Sequence, residues 1–144
     1  MFIGEYPHNI DTKNRLALPA RLRSELGSRV ILTRGLDKCL FVYPVSVWEG
    51  LAEKLGKLPM GDPGTRSFVR LLLAGAQDLE VDGQGRIVLP EYLRKYAGLE
   101  KKVMVAGLYD RVEIWDEEKW NTYKDSAEEN TDEIAQRLGE LGLY

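Results

Sequence analysis

The clearest chemical pattern in this chain is an aspartate followed four positions later by an arginine, and it occurs twice. Asp11 precedes Arg15, and Asp82 precedes Arg86. At this spacing, two side chains can approach each other across a tight turn, so the carboxylate can fix the turn and orient the guanidinium. A guanidinium offers two parallel donors that match a phosphate or the edge of guanine. The simpler alternative is an ion pair that closes a hairpin and never meets a ligand.

The residues between the two partners favour a tight turn in both places. Lys13-Asn14 and Gln84-Gly85 put Asn and Gly where a hairpin turn requires a positive φ, which these two residue types tolerate best. Lys13 adds a second positive charge at the tip of the first turn, where the second turn has Gln84. The pattern therefore predicts two similar β-hairpins, the first of them more basic.

The elements that position these turns are repeated as well. Residues 11–19 match residues 82–90 at an offset of 71, and the match continues to Trp48 and Trp120 at an offset of 72. Two modules of about 45 residues each can hardly bury separate cores, since chains below roughly 60 residues are marginally stable alone. We therefore expect the two halves to pack on each other.

Each repeat is predicted to continue with a short helix, two strands and an amphipathic helix. The short helices begin at Pro19 and Pro90 and end at Gly27 and Gly98. The strands cover residues 29–33 and 39–43, then 102–106 and 111–115, with turns at Gly35 and Gly107. In the last strand, Val112 and Ile114 are expected to point inward and Glu113 outward. The predicted inward-facing helix residues are Trp48, Leu51, Leu55, Leu58, Phe68, Leu71, Leu72, Trp120 and Tyr123.

Two segments lie outside the repeated pattern. Residues 59–64 are dense in Pro and Gly and predict a linker, followed by a helix over 65–74. The C-terminal segment predicts a helix capped by Thr131, with Ile134, Leu138 and Leu141 on one stripe. That stripe is expected either to dock on a neighbouring subunit or to fray.

Composition and charge narrow the class of protein. The chain has 144 residues, 44% of them apolar and 30% charged, and a net charge of -3. Residues 1–47 carry seven basic and four acidic side chains, whereas residues 120–144 carry two and six. A basic first half suits phosphate binding, and an acidic tail favours solubility. The lone Cys39 predicts a buried residue in a reducing cytosol, and no membrane span or signal peptide is expected.

An enzymatic function has little support in the sequence. Its best case uses His8 with Asp11 or Glu5 as a general base. Glycine-rich phosphate loops, nucleophile elbows and zinc-protease motifs are absent, and one histidine cannot form a multi-histidine metal site. We expect no catalytic residue, metal, cofactor or small-molecule substrate.

Over about residues 1–125, the chain resembles the MraZ family of bacterial transcriptional regulators. The resemblance rests on Met1-Phe2 with Gly4, on residues 8–19 around the first Asp–Arg pair, on Leu-Thr-Arg-Gly-Leu-Asp at 32–37, on Asp82 with Gln84-Gly85-Arg86, and on Glu113-Ile114-Trp115. Position 14 is commonly glycine in that family, and Asn14 can adopt the same positive φ. Paired Asp-x-x-x-Arg motifs in one chain of this length are quite specific.

The resemblance implies an α+β fold, mainly β with short flanking helices. Two AbrB-like repeats would form one double-split, swapped-hairpin β-barrel. It implies a ring-shaped homo-oligomer, such as an octamer, that binds direct repeats in double-stranded operator DNA. It also implies a cytoplasmic, nucleoid-associated repressor of the division and cell-wall gene cluster, which includes its own gene. The alternative is an antitoxin-like protein-interaction module of the same fold.

The resemblance and the turn chemistry together define the expected organisation and site. The expected segments are a first SpoVT-AbrB-type repeat at 5–47, helices and linker at 48–75, a second repeat at 76–119, and a helical acidic tail at 120–144. The expected DNA-binding residues are Lys13, Asn14, Arg15, Arg21, Arg23 and Arg86, and the expected supporting residues are Asp11, Asp82 and Gly85.

Overall fold

The computed structural model describes residues 1–143, over which the chain is α+β, with eight strands and six helices. The strands are β1 (Phe2–Asn9), β2 (Arg15–Ala17), β3 (Arg29–Arg34), β4 (Leu40–Pro44), β5 (Gln77–Glu80), β6 (Arg86–Val88), β7 (Lys102–Tyr109) and β8 (Arg111–Asp116). The helices are α1 (Ala20–Leu26), α2 (Val45–Gly56), α3 (Pro63–Ala74), α4 (Glu91–Ala97), α5 (Glu117–Glu129) and α6 (Thr131–Glu140). None of these helices is long and apolar enough to cross a membrane.

The strands pair across the two repeats. Six of them form an antiparallel sheet in the order β1-β7-β8-β4-β3-β5, and β2 and β6 form a separate two-stranded sheet. The first strand of each repeat therefore joins strands of the other repeat, β1 beside β7 and β5 beside β3. The central β4–β8 pair and the β2–β6 pair also cross the repeats. The prediction that the halves pack on each other is confirmed.

The central strands of the six-stranded sheet are covered on both faces, whereas the edge strands β1 and β5 are largely exposed. One face shares a core with the two-stranded sheet, α1 and α4. This core includes the buried residues Val30 and Val103 of the six-stranded sheet and Leu16 and Ile87 of the two-stranded sheet. On the other face, a second cluster of Cys39, Phe41, Tyr43, Met104 and Trp115 packs against α2 and the start of α5. This second cluster contains the predicted buried Cys39.

The short helices begin and end as predicted. Pro19 and Pro90 immediately precede α1 and α4, and Gly27 and Gly98 follow them. Both glycines have a positive φ, 83° and 62°. The chain can therefore leave each helix in a conformation that a side chain would disfavour.

Two predictions about the last hairpin are wrong. Gly107 lies inside β7, and the chain turns instead at Tyr109-Asp110, where Tyr109 has φ 62°. A Cβ atom on Gly107 would collide with the backbone at Ile3, so this glycine permits the close approach of β1. Glu113 is buried rather than outward-facing, because α2 and α5 cover that face of the sheet.

Several predicted inward-facing helix residues are exposed. Leu58 lies beyond the end of α2, and Phe68 and Leu71 of α3 are 38% and 51% exposed, whereas Val69 and Leu72 are buried. Tyr123 is half exposed. The reason is that α3 and α5 contact the sheet along only a narrow part of their surface.

The C-terminal helix also differs in its cap and its packing. Asn130, not Thr131, occupies the N-cap position of α6. Ile134 and Leu141 are 43% and 82% exposed, and α6 contains no buried residue.

Candidate nucleic-acid interface

The first Asp–Arg pair forms a tight turn held by one carboxylate. Asp11 Oδ1 accepts hydrogen bonds from the backbone N–H groups of Lys13 and Arg15, both at 2.9 Å. Its Oδ2 accepts the Nε–H of Arg15 at 2.7 Å. The backbone closes the same loop, because Asn14 N–H donates to Asp11 C=O and Asp11 N–H to Arg15 C=O. A single carboxylate thus fixes both the turn and the guanidinium.

The second turn repeats this geometry. Asp82 Oδ1 accepts from the N–H groups of Gln84 and Arg86 at 2.9 Å, and Oδ2 accepts the Nε–H of Arg86 at 2.8 Å. Asn14 and Gly85 occupy equivalent positions with φ of 61° and 77°, which confirms the predicted turn chemistry. The two loops are therefore built alike despite their different residues.

The hydrogen bonds explain why both aspartates favour their charged form. The backbone N–H of Arg15 is the main cause that lowers the pKa of Asp11, and the backbone N–H of Arg86 does the same for Asp82. The ion pairs with the same arginines add smaller effects. Both carboxylates remain partly exposed, with 35% and 39% of their side-chain surface accessible to solvent.

The strands that follow the turns do not form two separate hairpins. Apart from a single bridge between Ile10 and Leu16, the strand after each turn pairs with its counterpart in the other repeat. The cross-repeat pairing extends into the turns, since Leu18 N–H donates to Gly85 C=O at 2.9 Å and Leu89 N–H to Asn14 C=O at 2.8 Å. The predicted hairpins are replaced by one two-stranded ribbon that ends in a turn on each side.

The ribbon presents both arginines on one face. Leu16 and Ile87 are buried, so their neighbours along each strand, Arg15 and Ala17, then Arg86 and Val88, point the other way. Arg15 lies opposite Val88 and Ala17 opposite Arg86, which makes the arginines diagonal neighbours, roughly 7–8 Å apart at the backbone. Their side chains are 29% and 27% exposed, and Val88 is 55% exposed. We call Arg15, Ala17, Arg86 and Val88 the ribbon face.

The other predicted site residues lie around this face in different roles. Lys13 is exposed at the tip of the first turn, and Arg21 is exposed on α1. Arg23 is half-buried, and its Nε–H donates to Leu18 C=O at 2.7 Å. A Cβ atom on Gly85 would overlap the Arg23 guanidinium, which lies against the second turn.

The sequence prediction missed one arginine in an equivalent place. Arg94 on α4 donates its Nε–H to Leu89 C=O at 3.0 Å, as Arg23 does to Leu18. The signal was present, because Arg23 and Arg94 occupy matching positions of the repeats at the offset of 71. The prediction depended on the two Asp-x-x-x-Arg motifs and on the basic first half of the chain, and Arg94 belongs to neither.

The groups considered for catalysis do not assemble into a catalytic site. Burial, with the nearby charge of Arg23, lowers the pKa of His8, and Asp11 is committed to its turn. Glu5 accepts hydrogen bonds from Trp120 and Lys124 of α5. Within residues 1–143, no cluster of three or more His, Cys, Asp or Glu side chains is placed to hold a metal ion.

Comparisons with known proteins agree with the two-repeat organisation. A family model described as "MraZ protein, putative antitoxin-like" matches residues 1–71 and again residues 72–140. The chain is 50% identical over 143 residues to the transcriptional regulator MraZ of Halothermothrix orenii and 52% identical over 143 residues to that of Alkaliphilus metalliredigens. Both alignments cover 99% of this chain and all of the relative. A third relative, the transcriptional regulator MraZ of Carboxydothermus hydrogenoformans, is 49% identical over 96% of each chain.

Proposed function

The chain belongs to the MraZ family, and from this premise we propose that it is a DNA-binding transcriptional regulator rather than an enzyme. The observation that carries the proposal is the ribbon face, which holds two arginines oriented by aspartates at the two ends of one exposed ribbon. An arginine fixed before binding loses less rotational freedom when it meets DNA.

We propose that the β2–β6 ribbon enters the major groove. That groove admits a two-stranded β-ribbon, and arginine reads the O6 and N7 acceptors of guanine with two parallel donors. Arg15 and Arg86 are the proposed base-reading residues, while exposed Val88 provides an apolar contact for a thymine methyl group.

Phosphate contacts come from the residues that flank the ribbon. Lys13 and Asn14 lie at the first turn, and Arg21 is exposed on the neighbouring helix. Arg23 supports the second turn from below, and Asp11, Asp82 and Gly85 maintain the loop geometry. Phosphate contacts position a protein on DNA, whereas base contacts select the sequence.

One such ribbon would bind weakly, since non-specific contacts give dissociation constants of about 10⁻⁴ to 10⁻⁶ M at physiological salt. We propose that a ring-shaped homo-oligomer engages direct repeats in its operator. Linked binding sites raise the effective concentration of each further contact and so increase the overall affinity without new interactions.

The resemblance to the family supports four finer proposals. The protein represses the division and cell-wall gene cluster that includes its own gene, and it acts in the cytoplasm at the nucleoid. Its two sheets correspond to a double-split, swapped-hairpin barrel. The core that the two sheets share supports this proposal. The segments are the repeats at 5–47 and 76–119, the helices and linker at 48–75, and the tail at 120–144.

Fluorescence anisotropy with the DNA upstream of the protein's own gene tests the proposal. Wild-type protein should bind this DNA tightly, prefer it over random DNA, and lose affinity steeply as salt rises. Arg15→Ala should lose about 1–3 kcal/mol per specific contact and show a smaller preference for this DNA over random DNA. Lys57→Ala is the matched control. It removes one positive charge at an exposed position that is remote from the ribbon in sequence. Equal binding to random DNA would reject sequence-specific regulation.

A second candidate function is an antitoxin-like protein-interaction module. The exposed apolar residues of α6, within the acidic tail at 120–144, are the feature that favours it. Co-purification of a stoichiometric protein partner after nuclease treatment would support this alternative, particularly if the tail were required.

A further inference from the structure

We propose that Arg94 and Arg23 are positioning residues that act across the repeats, each holding the Asp–Arg turn of the other repeat. For its DNA readout, this inference rests on the proposed function. The contacts that carry it are two short hydrogen-bond chains with matching geometry.

The first chain connects α4 of the second repeat to the first turn. Arg94 donates its Nε–H to Leu89 C=O at 3.0 Å, and Leu89 N–H donates to Asn14 C=O at 2.8 Å. Leu89 is only 1% exposed, so water has little access to replace these bonds. Asn14 directly precedes Arg15, and this series of hydrogen bonds therefore ends at the backbone that carries the proposed base-reading arginine.

The second chain runs in the opposite sense. Arg23 of α1 donates its Nε–H to Leu18 C=O at 2.7 Å, and Leu18 N–H donates to Gly85 C=O at 2.9 Å. Leu18 is fully buried, and Gly85 directly precedes Arg86. The Arg23 guanidinium also lies where a Cβ atom of residue 85 would be, so it contacts the second turn directly.

Each arginine acts by fixing the backbone of the leucine that it binds. Its cationic donor makes a strong hydrogen bond to the leucine C=O. Because the N–H that meets the opposite turn belongs to the same leucine, holding its C=O keeps that N–H in place to donate to the carbonyl of the turn. Without the arginine, a buried leucine carbonyl loses its charged partner.

The inference separates two kinds of arginine that sequence alone treats as one. Arg15 and Arg86 are held at the turn surface by aspartates, whereas Arg23 and Arg94 direct their Nε–H groups to backbone beneath the turns. Loss of a positioning residue should weaken DNA binding while leaving the number of phosphate contacts nearly unchanged.

Hydrogen–deuterium exchange of the full-length protein without DNA tests the crossed arrangement. Arg94→Ala should speed exchange in peptides covering residues 11–15 more than in peptides covering 82–86, and Arg23→Ala should do the reverse. Lys95→Ala is the matched control, because it removes an exposed charge next to Arg94 on the same helix. Faster exchange confined to the turn of the mutated residue's own repeat would overturn the inference.

Arg94→Lys keeps the inference testable where the alanine variant folds poorly. It retains the charge and the aliphatic stem but lacks the Nε–H in its present position. It should show the same crossed exchange and bind operator DNA roughly tenfold more weakly, the effect of one hydrogen bond to a charged group. The slope of log affinity against log salt should stay at the wild-type value.

The exchange and DNA-binding measurements together distinguish failure of this inference from failure of the proposed function. If wild-type protein shows no preference for its own upstream DNA, the proposed function fails, and hydrogen–deuterium exchange alone decides the positioning role. If wild-type protein binds its operator and Arg94→Lys matches it in affinity and in exchange, the positioning role is wrong and the regulator remains.

Discussion

Arg15 and Asp11 form an ion pair that also closes the turn between them. The Nε–H of Arg15 lies 2.7 Å from Asp11 Oδ2, while Asp11 Oδ1 accepts the backbone N–H of the same arginine at 2.9 Å. Orientation of the guanidinium and conformation of the loop therefore depend on one carboxylate. Asp82 and Arg86 repeat the relationship.

This dependence predicts a loss of stability in acid. The pKa values of Asp11 and Asp82 are lowered in the folded protein, so the folded state binds their protons less readily than the unfolded chain. Their contribution to stability is present above the unfolded value of about 3.9 and is lost as pH falls through the lower folded values. The double variant Asp11→Asn/Asp82→Asn should lack this contribution to stability.

Urea unfolding at neutral pH and near pH 3 measures the difference. The free energy of unfolding should fall less on acidification in the double variant than in the wild type. Asp125→Asn, at an exposed position on α5, serves as the control carboxylate. Parallel losses in wild type and double variant would show that the two turns do not contribute to acid sensitivity.

The left-handed conformation of Asn14 predicts an ordered series of stabilities. Asn14→Gly should fold as the wild type does, whereas Asn14→Val should lose about 1–2 kcal/mol because a β-branched residue is strained at φ 61°. Gly85→Ala should be worse than its own positive φ implies, since its methyl group meets Arg23. Chemical denaturation measures each step. Equal stability of the glycine and valine variants at position 14 would contradict the strain.

Burial of Glu113 predicts sensitivity in the second core. Its carboxylate accepts Trp115 Nε1–H at 3.0 Å and the Arg111 Nε–H at 3.1 Å, and Arg111 stacks over the Phe41 ring. Glu113→Ala removes the acceptor of the buried Trp115 N–H and one partner of Arg111, and should cost about 2–3 kcal/mol. Glu113→Gln retains an acceptor for Trp115 and should cost less. Thermal and urea unfolding of both variants measure this order, and the reverse order would contradict it.

The exposed tail helix predicts that its removal is tolerated. A chain that ends after Asn130 lacks α6 but keeps the hydrogen bond from Asn130 to Ser126 C=O at the end of α5. Its unfolding free energy should change by less than about 0.5 kcal/mol, since α6 contributes no buried residue. Operator affinity should be retained.

Light scattering of the truncated chain shows whether the tail also builds the assembly. The expected result is the same number of chains per assembly as in the wild type, calculated from the molar mass of the shorter chain. A smaller species would assign the exposed Ile134 and Leu141 to a subunit interface. Ile134→Ser in the full-length chain, which keeps the helix length, would then show whether the apolar stripe is responsible.

Much of the fold followed from local patterns. The turn conformations of Asn14 and Gly85, and the helix ends at Pro19 and Gly27, were predicted because the requirements on φ act on single residues. Burial of Glu113 was not predicted, because alternation in a strand does not reveal that helices cover its outer face. The exposure of Phe68 depended likewise on how α3 rests on the sheet.

Two similar turns, each with an aspartate that can orient an arginine, can be inferred from the amino-acid sequence because this chemistry is contained within five consecutive residues. How the two turns are joined depends on the packing of the whole chain. The strands pair according to how they pack in the shared core and not according to their order along the chain. Strand β2 therefore pairs with β6 of the other repeat instead of with a neighbouring strand of its own repeat. That pairing brings Arg15 and Arg86 to one face, and it places Arg23 and Arg94 beneath the turns of the opposite repeats.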